Sequence, residues 1–83
     1  MTWQDPDVPP RPRVPEFERI AADIRRRIEA GEFRHDLALP SAESFSEQYH
    51  CSRKTAHRAV RVLVEAHLLV TKPGYGTFLA DDD

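Results

Sequence analysis

Residues 52–67 read SRKTAHRAVRVLVEAH, and two patterns run through them at once. Ala56, Ala59, Val60 and Leu63 recur at helical spacing as an inward face, while Arg53, Lys54, His57, Arg58 and Arg61 fall on the outer surfaces of the first two turns. Ser52 is a candidate N-cap. The helix predicted over 53–66 therefore carries a core face and a basic face together. Its small residues Ala56 and Ala59 suit a close crossing by another helix, since larger side chains would push the two apart.

Before it, Ser41 is a good N-cap, Glu43 in the first turn complements the helix dipole, and Phe45 and Tyr49 at i, i+4 supply buried contacts. This predicts a helix over 41–49. Its break near His50 is marked by neither Gly nor Pro. Earlier still, Phe17, Ile20, Ala21, Ile24 and Ile28 make one apolar stripe, with Arg19, Arg25, Arg26 and Glu29 largely off it. Pro15 suits the start of that helix and Gly31 its end, giving a span of about 16–30. Phe33, Leu37 and Leu39 then predict a short extended stretch ending at Pro40.

After the basic helix come two β-prone runs, Leu68 to Lys72 and Thr77 to Ala80, around Pro73-Gly74-Tyr75-Gly76. That is a hairpin. Two short helices joined by a tight turn, the second presenting long donors at its N-terminal end, fit a DNA major groove, and the hairpin makes the unit a winged helix-turn-helix. The predicted fold class is thus α+β, three helices with a C-terminal two-stranded wing.

Composition supports one small domain. The 83 residues leave no room for a separate catalytic or ligand-binding unit, and five of the seven prolines lie within the first 15 positions. Residues 1–15 read as a disordered Pro-rich arm, 16–80 as the domain, and 81–83 as an acidic tail. The formal net charge of −2 hides a strong asymmetry. Residues 50–72 hold five Lys and Arg against Glu65 alone, leaving seven cations against thirteen acids elsewhere. A basic patch on an acidic body points to nucleic acid.

Gly31-Glu32-Phe33, Leu39-Pro40-Ser41, Ser52-Arg53-Lys54-Thr55, Arg58-Ala59 and Gly74-Tyr75-Gly76-Thr77-Phe78 also resemble, in order and spacing, the DNA-binding domain of GntR-type bacterial transcriptional regulators. The resemblance covers about residues 16–80. It implies a double-stranded DNA partner, with Ser52 and Arg53 contacting backbone and base edges, Thr55 in the matching threonine position, and the turn Gly74, Tyr75, Gly76 over the minor groove. Together with Ser41, Lys54, His57, Arg58, Arg61 and Lys72 these are the expected DNA-binding residues. Departures from the family pattern are Glu43 near the position of an arginine, His57 for a later arginine, His67 for a glycine, and His35-Asp36 for Pro-Gly. Family members continue into an effector-binding, dimerising domain, whereas the wing here lies three residues from the end of the sequence. The resemblance accordingly carries no expectation of small-molecule sensing. Two-fold operator binding is expected from self-association as a dimer on DNA, from the arm, or from a protein partner.

Other classes of function find less support. No run of about 18 apolar residues exists for a membrane span, and the N-terminus lacks the apolar stretch of a signal peptide, so the expectation is a cytoplasmic, nucleoid-associated protein. Cys51 with His50, His57 and His67 lacks the paired ligand spacing of a zinc site; no metal or cofactor is expected, and Cys51 reads as a buried thiol between helices. Ser52 has no nucleophile elbow or oxyanion-hole glycine around it, so no enzyme is expected. Arg11 and Arg13 in the arm are candidates for a minor groove, and Trp3 with the prolines for a protein partner. The rival reading, favoured by net acidity and Glu43, is a winged-helix protein-interaction module that assembles with a larger regulator. An architectural DNA protein would share the same fold.

Overall fold

The computed structural model describes residues 14–80. Its elements are α1 (Glu16–Glu29), α2 (Ala42–Gln48), α3 (Arg53–Glu65), β1 (Leu69–Lys72) and β2 (Gly76–Leu79). The three predicted helices and the hairpin are present in the expected order, each within one or two residues of its expected bounds. Pro15 is the N-cap of α1 and so belongs to the domain rather than the arm. Arm residues 1–13 and the acidic tail, 81–83, lie outside the described residues.

Helix α3 runs through the middle, packed against α1, α2 and β1. Ala56 and Ala59 are fully buried at the crossings, and Leu63 is almost so. They meet Ile20, Ala21 and Ile24 of α1, Phe45 of α2, and Leu39, Leu69 and Leu79 in a single cluster. Each large apolar side chain buried there contributes about 1.5–3 kcal/mol. Val60, expected inside, is half-buried at the edge of the cluster.

All three helices end in the same way. A residue with positive φ follows the C-cap (Gly31 at 79°, His50 at 53°, His67 at 63°), and the next N–H bonds back to a carbonyl of the last turn. These bonds run from Glu32 to Arg27, Cys51 to Ser46, and Leu68 to Leu63, at 2.9–3.1 Å. This is the Schellman arrangement, normally built on glycine. Histidine is among the non-glycine residues that tolerate the left-handed region, which explains how His50 and His67 stop helices without a glycine signal.

The wing is an antiparallel hairpin in which Leu69 pairs with Leu79 and Lys72 with Gly76. Tyr75 N–H donates to Lys72 O at 2.9 Å, and Gly74, the third residue of that turn, has φ 82°. Pro at the second position and a positive-φ glycine at the third are the requirements of a type II turn.

The stretch 33–39 is not extended as expected. Arg34 folds over onto Asp36 through two hydrogen bonds of 2.8 and 3.0 Å, the chain turns there, and Leu37 is left exposed. Only Leu39 aligns with the wing, its N–H donating to Thr77 O at 2.8 Å. An isolated strand needs a partner along its length, and β2 offers one over a single residue here.

Candidate nucleic-acid interface

The turn between α2 and α3 sets the exposed end of the basic helix. Ser52 Oγ accepts from Thr55 N at 3.1 Å and donates to Thr55 Oγ1 at 2.9 Å, so both side chains expected to touch DNA also form the N-cap. Thr55, acting as acceptor in that pair, keeps its own hydroxyl proton for another partner. Ser41 caps α2 equivalently, accepting from Ser44 N at 3.1 Å.

Arg53, Lys54, His57, Arg58 and Arg61 line one open depression along the outer face of α3. The structure thus brings together the five basic and histidine side chains of the recognition-helix prediction. They are not equivalent. Arg53 and Lys54 make no side-chain hydrogen bond or ion pair with any described residue, whereas the Arg58 guanidinium lies 4.4 Å over the Phe17 ring of α1. Arg61 reaches Glu65 at 3.5 Å, an exposed pair worth little.

A second groove separates α3 from the wing. Ser41, His57, Arg61, Tyr75 and Gly76, all predicted site residues, line it along with apolar side chains. Tyr75 is 78% exposed at the wing turn. Lys72 and Gly74 line neither surface, and Lys72 Nζ sits 4.9 Å over the Phe78 ring. Gly76, with φ 113°, lets the wing pass close to the 33–39 loop; a Cβ there would stand 3.4 Å from that of Ala38.

Cys51 is half-buried at the edge of the core rather than enclosed. Burial, with the nearby Glu16 charge, pushes its thiol up and keeps it protonated. Among the described residues no group of three or more His, Cys, Asp or Glu is placed to hold a metal ion. No described helix is long and apolar enough to cross a membrane.

Sequence reasoning passed over Arg27. Its guanidinium donates to Tyr49 Oη at 3.0 Å, Gln48 Oε1 at 3.1 Å and Glu32 at 3.3 Å, and lies 5.0 Å over the Phe33 ring. Tyr49 in turn donates to Asp23 at 2.6 Å. This network ties α1 to the end of α2. Hydrogen bonding from Tyr49, then from Arg26, holds the Asp23 carboxyl below the usual range; burial, then the bond to Asp23, pushes Tyr49 up. The available signal was Arg27 itself, one residue before the inward Ile28 and bordering the apolar stripe.

A capped helix with an open basic face, set by a tight turn and flanked by a hairpin, defines a winged helix-turn-helix DNA-binding domain. The sequence pattern described as "Bacterial regulatory proteins, gntR family" matches residues 17–79, and the chain belongs to that family. It is 34% identical over 67 residues to the HTH-type transcriptional repressor NagR of Bacillus subtilis and 35% identical over 68 residues to the histidine utilization repressor of Klebsiella aerogenes. The matches cover 81% and 82% of this chain but only 28% of each relative. A solved structure of the AraR DNA-binding domain in complex with operator ORR3 superposes with a TM-score of 0.76 at 28% identity, covering 96% of this chain and 95% of that one. The chain is thus a GntR-type DNA-binding regulator domain.

Proposed function

We propose that the domain binds double-stranded DNA sequence-specifically and acts in the bacterial cytoplasm as a transcriptional repressor by occluding its site. The N-terminal turns of α3 enter the major groove, and the wing, 72–77, lies at the adjacent minor groove. The observation that carries this is the pair Arg53 and Lys54, cations on the first turn of a well-capped helix with no described protein partner. Cations that the fold leaves without partners are the ones available to phosphates and base edges. Ser52, Thr55, Arg58 and Arg61 support them at the helix, and Ser41, Lys72, Gly74, Tyr75 and Gly76 support them at the flanks. The repressor relatives and the AraR operator complex agree with this reading. A domain of this size covers about 600–1,000 Å² of its own surface on DNA, so two copies on a repeated site are expected.

Fluorescence anisotropy with genomic and random duplexes, at about 50 and about 200 mM salt, tests the proposal. Sequence-preferring binding that weakens by orders of magnitude at the higher salt supports it; no binding at either salt sinks it. Exposed Glu43, in the first turn of α2, and the net acidity of the chain favour a protein-interaction module instead. A stable protein partner retained after nuclease treatment, with no DNA bound, would establish that second reading.

A further inference from the structure

His57 stands where two surfaces meet. It lines both the basic depression on the outer face of α3 and the groove between α3 and the wing, and Arg61, one turn further along, does the same. The two side chains at i, i+4 therefore make a ridge between these surfaces. In a duplex, each sugar–phosphate strand is what separates a major groove from the neighbouring minor groove. If α3 occupies the first and the wing the second, that strand must cross between them, over this ridge and groove. The groove suits it: the half-buried Val60 and Val64 give apolar surface for deoxyribose, and Ser41 and Tyr75 give hydroxyls at its edge.

We propose that His57 and Arg61 form the seat of one sugar–phosphate strand, and that DNA binding takes up a proton at His57. This rests on the DNA-binding reading above. The charged and titratable groups that line these surfaces with His57 are Arg53, Lys54, Arg58 and Arg61 from α3 and Tyr75 from the wing, while α2 and its cap contribute only the uncharged Ser41, Ala42 and Phe45. No carboxylate lines either surface, and Glu65 is directed to Arg61. His57 is exposed and has no side-chain hydrogen bond to any described residue. A seated phosphate is then the anion that meets it, and an opposite charge within about 4–6 Å favours the protonated ring. Histidine is the side chain whose charge ordinarily changes across physiological pH. The sign follows: a proton held more firmly in the complex than in the unbound domain raises affinity as pH falls, and the gain is lost as pH rises.

The test is the affinity of the 83-residue chain for one fixed duplex, by anisotropy at constant ionic strength, from about pH 8 to about pH 6. Wild type is expected to tighten roughly tenfold, the equivalent of one pH unit of added proton affinity at one site. His57→Gln should lose that gain and show a flat profile, whatever its affinity near pH 8. His57→Arg should bind tightly with a flat profile, and His50→Gln, altering the histidine just before α3, should keep the wild-type slope. Circular dichroism melts of each variant confirm that the fold is intact. A wild-type profile without pH dependence, or a slope that survives in His57→Gln, overturns the proposal while leaving DNA binding in place. Absence of DNA binding at every pH overturns both.

Discussion

Arg27 and Arg53 are the same residue type put to opposite uses by their surroundings. Arg27, between α1 and the end of α2, is enclosed by Tyr49, Gln48, Glu32 and the Phe33 ring, which satisfy its guanidinium from several sides. Arg53, at the start of α3, lies on the open basic face and makes no side-chain hydrogen bond or ion pair with any described residue. An arginine whose donors are matched by the protein stabilises the fold; one whose donors are left open is available to a polyanion. Arg58, stacked on Phe17, lies between these cases.

That contrast can be broken at either end. The largest expected effect is from Arg27→Ala, which strips charged hydrogen bonds from Tyr49, Gln48 and Glu32 and should cost about 2–3 kcal/mol in urea unfolding. DNA affinity of the folded fraction should hardly change; a variant as stable as wild type would show that the network is ornamental. Arg53→Ala should do the reverse, weakening specific binding by about 1–3 kcal/mol with an unchanged melting curve. Unchanged affinity there would mean that the recognition surface lies elsewhere.

Arg58→Ala sharpens the middle case. If the guanidinium stays on Phe17, the loss is about 0.5–1 kcal/mol of stability and little affinity. A loss of affinity equal to that of Arg53→Ala would instead mean that Arg58 leaves the ring to meet DNA.

Two smaller effects concern the supports. His67→Gly relieves a left-handed residue worth about 1 kcal/mol but gains chain entropy when unfolded, so thermal melts should rise by only a few tenths of a kcal/mol. No rise would place the whole gain in the unfolded chain. Asp23 is easier to ionise folded than unfolded, chiefly through Tyr49. Its contribution is therefore complete above the range of an unfolded carboxyl and disappears as pH falls through that range and below. Tyr49→Phe should flatten this acid limb of the stability curve, and an identical limb in the variant would remove Asp23 from the account.

Much of this was legible in the chain. Period-3.6 apolar stripes placed α1 and α3, Ser41 and Ser52 marked the caps, and Pro73-Gly74 marked the wing turn, because each of these devices acts within a few residues. The basic face of α3 followed from the same periodicity. Less visible were the stops at His50 and His67, where a residue that merely tolerates positive φ does the work usually assigned to glycine. The 33–39 stretch misled because β-prone side chains predict a strand only where a partner runs alongside, and Leu39 alone has one.

The sequence by itself determined the elements, their caps and which face of α3 is basic, since these depend on local geometry and the spacing of side chains. Only the tertiary structure decided which cations are used up. Arg27 meets residues 21 and 22 positions away, Arg58 meets a ring 41 positions earlier, and Arg53 meets none among the described residues. Local periodicity carries no information about such distant partners. It is packing α1 and α2 against α3 that makes Arg27 a support on one side and leaves Arg53 and Lys54 on an open basic surface on the other.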